Sequence, residues 1–237
     1  MRTIPWHIGV LVPARNEEAL LPRCIASILA AREKLPQGIS CDIVVVVDSS
    51  TDRTREIAET LLLENGIVVP IDARAVGQAR SVAAKVFLER YYGSLKYCWL
   101  ANTDADCEVP VNWLTNHLAI ARQGTDAVAG IVDVDSFAEH NSFVRERFRL
   151  SYHVHDDGSH PHVHGANMGV RADAYLRAGG WLALETAEDH DLWRRLHQTG
   201  YHPLSAAKLM VTTSGRKLGR APHGFAETLA AHNGALS

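Results

Sequence analysis

Apolar and polar positions alternate along the first half of the chain with two different periods. Short β-branched runs, HIGVLV (7–12), DIVVVV (42–47), IVVPI (67–71) and YCWLA (97–101), predict strands. Each is followed by apolar residues at helical spacing: Leu21, Ile25, Ile28 and Leu29, then Ile57, Leu61 and Leu62, then Val82, Val86 and Phe87. The fourth helix is opened by Pro110 and carries Leu114, Leu118 and Ala121. DAVAGIV (126–132) predicts a fifth strand, KLMVTTS (208–214) a later one, and Leu192 and Leu196 a further helix. Near-continuous apolar strands separated by helices predict an α/β fold with a mostly parallel central sheet, helices on both faces and right-handed crossovers. The less regular second half is expected to cap one edge.

In such sheets ligands bind beyond the carboxyl ends of the strands. Four polar segments are predicted there: PARNEE (13–18), DSSTD (48–52), ARAVGQAR (73–80) and NTDAD (102–106). Taken one at a time, each reads as a helix cap or turn, Asn16, Asp52 and Pro110 included. Together, with Arg15, Arg74 and Arg80 interleaved among aspartates, they suit a phosphorylated ligand and a cation. Asp104 and Asp106, two apart in an extended segment, would face one ion, and paired carboxylates suit Mg²⁺ or Mn²⁺.

Composition narrows the partners and location. The 237 residues are 46% hydrophobic and 22% charged, with a formal net charge of −3, which favours one domain over 1–237 and disfavours a nucleic-acid partner. Cys24, Cys41, Cys98 and Cys107 lie in or beside apolar segments without CxxC pairing, which suits reduced thiols and a cytoplasmic location. IGVLV is too short for a signal-peptide core, and no apolar run approaches the roughly 20 residues a bilayer needs, so any membrane contact is expected to be peripheral.

Six segments, in order, resemble the inverting family 2 glycosyltransferases: VPARNEE, VVVDSSTDRT, AVGQARSVA, NTDAD, GANMGVRADAYLRAGGW and AEDHDLWRRLHQTGY. The resemblance implies a GT-A type nucleotide-diphospho-sugar-binding fold, with 1–132 as the donor-binding half and 133–237 as the acceptor and base half. It implies a nucleotide-sugar donor, an unidentified hydroxyl acceptor and Mn²⁺ or Mg²⁺ as cofactor. The donor would be held by Pro13, Ala14, Arg15, Glu17, Asp48, Gly77, Arg80 and Asp104, with Asp48 at the base. Asp104 and Asp106 would hold the metal, and Gly165, Ala166, Asn167 and Glu188 would lie on the acceptor side. Asp189 would be the catalytic base, although Glu188, Asp189 and Asp191 also suit the dipole of a helix N-terminus. The later segment TTSGRKLGRAPHGF offers Arg216 and Arg220 to the diphosphate and His223 to the metal shell.

The histidines of YHVHDDGSHPHVHG (His153, His155, His160, His162 and His164) read as a mobile acceptor-side loop rather than a metal site. A Rossmann or P-loop reading fails because VLVPARNEEAL has no glycine and no GxxxxGK occurs. The alternatives are a sugar-nucleotide-forming nucleotidyltransferase and a non-catalytic nucleotide-sugar-binding protein.

Overall fold

The computed structural model describes residues 5–201, 203–220 and 224–234. Its strands are β1 (His7–Ala14), β2 (Ser40–Asp48), β3 (Ile67–Ile71), β4 (Cys98–Asn102), β5 (Ala127–Val134), β6 (Met168–Arg171) and β7 (Leu204–Thr213). Its helices are α1 (Leu21–Arg32), α2 (Thr54–Leu62), α3 (Val76–Glu89), α4 (Trp113–Arg122), α5 (Val144–Ser151), α6 (Ala172–Arg177), α7 (Glu188–Gln198) and α8 (Phe225–Ala231).

The strands form one seven-stranded sheet in the order β3-β2-β1-β4-β6-β5-β7. All neighbours are parallel except β6, which runs antiparallel to both β4 and β5. This is the predicted α/β class, but the second half does more than cap an edge. It supplies β6 to the middle of the sheet and β7 to its rim. MGVR has no readable period because it is four residues long, includes a glycine and is mostly buried.

Alternation along each strand sends side chains to two cores. Ile8, Val10, Val12, Ile43, Val45, Trp99 and Ala101 meet Ile25 and Ile28 of α1 and Trp113 and Leu118 of α4 on one face. Leu11, Val44, Val46 and Leu100 meet Ala83 and Phe87 of α3 and Leu192 and Leu196 of α7 on the other. Gly9 leaves room for Phe87, whose ring would lie 2.6 Å from an added Cβ. A smaller third cluster joins Val134, Val144, Phe148 and Leu229. All four cysteines are free, Cys24, Cys98 and Cys107 being buried and Cys41 half-buried. Burial pushes the Cys98 thiol up to about 12, which keeps it protonated and unreactive. Among the described residues, no helix is long and apolar enough to cross a membrane.

His117 of α4 is fully buried, accepts the Trp99 indole N–H at 3.2 Å, and packs edge-on against Trp113. Burial lowers its pKa from 6.5 to about 3. Between those values the unfolded chain binds a proton that the folded chain does not, so this contribution is complete above about pH 6.5 and lost as pH falls towards 3. At pH 5 the loss from this residue is about 2 kcal/mol. Urea denaturation at pH 7 and pH 5 should therefore show a smaller pH difference in His117→Gln, whose amide can still accept from Trp99. An unchanged difference would assign the acid sensitivity elsewhere.

Candidate active site

The carboxyl ends of β1, β2 and β4 open into a cleft of about 680 Å³, whose far side is built by the segments around α5, α7 and α8. Pro13, Ala14, Arg15, Glu17, Asp48, Arg80, Asp104, Asp106, Gly165, Ala166, Glu188, Asp189, Arg216 and Arg220 all line it. Tight loops hold these groups. Among the described residues, four of the five non-glycine residues with left-handed backbones, Asn16, Ser49, Arg74 and Ala187, lie in loops at its rim. Such conformations cost free energy and persist where surrounding contacts impose them. The Asn16 side chain supplies one such contact by accepting the Thr51 N–H at 2.8 Å, which ties the first two rim loops together.

Asp48 closes β2 with a carboxylate that folds the third rim loop. Its Oδ1 accepts the N–H groups of Ala73 and Arg74 at 2.8 and 2.9 Å and the Ser49 hydroxyl at 2.9 Å. Its Oδ2 accepts Ala75 N–H at 2.9 Å. Burial pushes this carboxyl up, but the hydrogen bonds from Arg74, Ala73, Ser49 and Ala75 outweigh it and hold the pKa below the usual 3.8. One acceptor position remains on Oδ2.

The Asp-x-Asp pair is not extended. Cys107 N–H donates to Asp104 C=O at 3.0 Å, so the segment is a turn, pinned beyond it by reciprocal Glu108–Thr212 bonds of 2.7 and 3.0 Å to β7. The turn still gathers the ligand atoms: one from each of Asp104, Asp106 and Cys107 lie within 4.8 Å of one another. Two carboxylates at that separation fit a hard divalent cation. Cys107 is a poorer match, because burial and the two aspartates raise its thiol pKa well above the ordinary 9.0 and hard cations prefer oxygen. Arg216, from the loop after β7, donates to Glu17 Oε1 at 2.7 Å and to Asp106 Oδ2, and so clasps both sides of the rim. Arg220 donates to the Asn16 carbonyl at 3.0 Å. Burial pushes the Glu17 carboxyl up to about 7 against the pull of Arg216.

Arg80 of α3 connects the two halves. Its side chain is only 2% exposed, and it donates to Asp104 Oδ1 at 2.5 Å and to Glu188 Oε1 at 3.0 Å. Burial alone would lower its pKa, but Asp104, Glu188 and Asp189 reverse the sign and keep the guanidinium charged. The three carboxylates at the start of α7 thus separate by partner. Glu188 is held by Arg80, and Asp191 is held by Arg194 and Arg195 at 2.6 and 2.8 Å. Asp189 has no ion-pair partner among the described residues. It lines the cleft and accepts Gly165 N–H at 2.8 Å and its neighbour His190 N–H at 2.7 Å.

Two sequence candidates lie behind the wall rather than in it. Gly77 accommodates backbone: an added Cβ would meet the Leu182 carbonyl at 2.1 Å, and its N–H donates to Leu184 C=O at 3.0 Å. Asn167 is fully buried, donates to the carbonyls of Ile131 and Leu209 at 2.9 Å each, and accepts the Trp113 indole N–H at 3.0 Å. It satisfies the polar groups of an irregular stretch of the β5–β7 pairing between Ala129 and Ile131. His223 lies outside the described residues.

The histidine segment is a loop, as expected, and its rings are arranged in order. His160, His162 and His164 form a parallel series, with His162 stacked on Tyr152 at a centroid distance of 3.8 Å and an angle of 3°. Phe148, Tyr152, His162, His164 and Phe225 make one wall of the cleft, a feature absent from the sequence reading. Its only local signal is Val144, Phe148 and Tyr152 at intervals of four.

Comparison with known proteins agrees with this geometry. Residues 9–177 match the model of glycosyl transferase family 2. The chain is 37% identical over 118 residues to the low-salt glycan biosynthesis hexosyltransferase Agl6 of Haloferax volcanii, covering 49% of this chain and 25% of that protein. It is 32% identical over 128 residues to the undecaprenyl-phosphate 4-deoxy-4-formamido-L-arabinose transferase of Pseudomonas paraeruginosa, covering 53% and 35%. The matched segments thus span about a quarter to a third of these relatives. Among solved structures, the mannosyltransferase PcManGT from Pyrobaculum calidifontis, in complex with GDP-Man and Mn²⁺, has a TM-score of 0.66 at 18% identity, over 92% of this chain and 59% of that one. S. aureus TarS 1–349 with UDP has a TM-score of 0.63 at 16% identity, over 89% and 61%. The seven-stranded sheet is therefore a GT-A type glycosyltransferase fold, and by the family match over 9–177 this chain belongs to glycosyl transferase family 2.

Proposed function

We propose that the chain moves a sugar from a nucleoside-diphosphate donor to a hydroxyl acceptor with inversion, using Mn²⁺ or Mg²⁺. The observation that carries this reading is the separation of charge across one cleft. Asp104, Asp106 and the arginines Arg15, Arg74, Arg216 and Arg220 gather on one side, and Asp189, without a cationic partner among the described residues, stands beyond Arg80 on the other. The solved relative PcManGT, with GDP-Man and Mn²⁺, supports the donor class and the metal.

The donor half follows from the rim. Asp48 Oδ2 accepts an N–H of the nucleobase, and Pro13, Ala14 and Arg15 form the floor beside it. Asp104 and Asp106 hold the divalent cation, which when bound supplies positive charge to the diphosphate. Arg216 and Arg220 turn from Glu17, Asp106 and Asn16 towards the phosphates, exchanging carboxylate and carbonyl acceptors for phosphate oxygens. Arg80 keeps Asp104 oriented and bridges it to Glu188, the residue before the base.

Transfer is then a single displacement. The acceptor O–H gives its proton to Asp189 as its oxygen bonds to the anomeric carbon. The bond from that carbon to the phosphate oxygen breaks on the opposite face, and the leaving diphosphate takes up the negative charge. Gly165 N–H holds the Asp189 carboxylate in place for this step. An α-linked donor gives a β-linked product, which the anomeric proton coupling of the first-formed product reports; retention would overturn the single displacement.

Thermal-shift measurements with UDP, GDP, dTDP and CDP should show one nucleotide stabilising the protein with Mn²⁺ or Mg²⁺ and far less with a chelator. Ligand at about 100 times its Kd adds roughly 2.7 kcal/mol. Asp106→Ala should lose the metal-dependent part, and equal stabilisation with and without metal would remove Asp104 and Asp106 from that role.

Asp189→Asn is nearly isosteric and should keep nucleotide binding while turnover, read as nucleoside diphosphate released, falls roughly 10²- to 10⁴-fold, the range for loss of a general base. A dipole partner at a helix N-terminus is worth at most about 1 kcal/mol of stability and little rate. Turnover within about threefold of wild type, far short of a general-base loss, would return Asp189 to that structural role.

A further inference from the structure

The wall opposite the nucleotide loops contains a hydrogen-bond chain anchored on the backbone. Val132 N–H donates to the Tyr152 hydroxyl oxygen at 3.0 Å. The hydroxyl's other partner is His164 Nε2 at 2.9 Å, and with one lone pair taken by Val132 its proton is available to that nitrogen. When the hydroxyl donates, His164 Nε2 accepts and the ring carries its proton on Nδ1. Among the described residues Nδ1 bonds to nothing, and it is not among the enclosed polar atoms without partners. His164 lines the cleft. Asp189 lines it too, and its carboxylate is tied to the N–H of the residue after His164, Gly165.

The surrounding rings keep His164 there. His162 stacks on Tyr152 and donates its Nε2–H to the His153 carbonyl at 3.0 Å. Phe225 meets His164 edge-on at 5.9 Å, and Phe148 packs against both Tyr152 and Phe225 at 5.1 and 5.9 Å. Burial lowers the His164 pKa from 6.5 to about 4, so the ring is a neutral donor at pH 7. No lysine or arginine among the described residues of 144–166 or 224–234 lines the cleft, whereas Arg15, Arg74, Arg216 and Arg220 all belong to the opposite rim. An anionic acceptor would meet Glu185, Glu188 and Asp189 here, with Arg80 the one nearby cation and already paired to Glu188 and Asp104. A sugar ring suits the wall: its C–H face lies on aromatic surface and a hydroxyl oxygen accepts one N–H.

We propose that His164 is an acceptor-binding residue, whose Nδ1–H, fixed by Tyr152, donates to an oxygen of a neutral carbohydrate acceptor held against the Phe148–Tyr152–Phe225 wall beside Asp189. This rests on the glycosyl-transfer reading above and adds the acceptor class to it.

Saturation-transfer NMR with Mg²⁺ and the nucleoside diphosphate selected above tests it. The probes are methyl α-D-mannopyranoside, methyl β-D-glucopyranoside, methyl β-D-galactopyranoside and n-octyl phosphate. At least one glycoside should bind wild type, and more tightly than octyl phosphate. His164→Gln keeps an amide against the Tyr152 hydroxyl but removes the cleft donor, and should weaken that glycoside roughly two- to tenfold, the worth of one neutral hydrogen bond. His164→Asn, whose amide nitrogen stands near the Nδ1 position, should retain more of the affinity than His164→Gln. Both variants should bind the nucleoside diphosphate as wild type does. Long-range ¹⁵N–¹H correlations should show His164 protonated on Nδ1 in wild type and released from that single tautomer in Tyr152→Phe. Nucleotide binding without any glycoside bound, tighter binding of octyl phosphate, unchanged glycoside affinity in His164→Gln, or an Nε2–H tautomer in wild type would each overturn the assignment. Failure of wild type to bind any nucleoside diphosphate would instead defeat the glycosyl-transfer reading beneath it.

Discussion

The site depends on one buried guanidinium. Arg80 stands inside the protein between Asp104, at the end of a strand from the first half, and Glu188, at the start of a helix from the second. A buried ion pair gains little net stability over an apolar replacement, but removing one partner strands the others at a cost of several kcal/mol. The three groups therefore fix one another. Gly165 shares the constraint, because an added Cβ would meet the guanidinium at 2.5 Å, and its N–H is the tether of Asp189. The relative positions of Asp104, Gly165 and the start of α7 thus trace back to one side chain.

The second half builds on that anchor by inserting β6 antiparallel between β4 and β5. This brings 165–167 under the cleft and leaves Asn167 beside an irregular stretch of the β5–β7 pairing, where its amide satisfies two carbonyls and an indole. A residue that reads as acceptor-binding is spent on the scaffold, and its neighbours Gly165 and Ala166 reach the cleft instead. Gly77 is a similar case, since its missing side chain admits the 182–184 backbone. In both, the chemistry of the site rests on close packing one layer below it.

The rim loops hold their arginines on carboxylate and carbonyl acceptors. Arg216 joins Glu17 and Asp106 across the cleft mouth, and Arg220 reaches the Asn16 carbonyl. These acceptors can be exchanged for phosphate oxygens without a new charge having to be desolvated. The wall of 144–166 and 224–234 carries no such cations among the described residues; it offers aromatic and histidine rings, with the carboxylates of Glu188 and Asp189 beside it. The cleft is accordingly divided into an arginine-rich rim and a wall of rings.

Much of this was written locally. The β-branched runs, the apolar residues at helical spacing and the polar segments after β1, β2, β3 and β4 are legible because strand and helix periods repeat over a few residues. They determined the α/β class, the six strands β1, β2, β3, β4, β5 and β7 in part or whole, and the rim bearing Asp48, Asp104 and Asp106. What sequence could not carry were pairings between distant residues. The position of β6, the turn that gathers Asp104 and Asp106, the partners that distinguish Glu188, Asp189 and Asp191, and the stacking of His162 on Tyr152 all depend on contacts across the fold. Sequence alone determined which residue types reach the end of each strand, because periodicity is local. Only the tertiary structure decided which of them remain open to a ligand, because a side chain's free hydrogen-bonding capacity is set by partners far away in the chain.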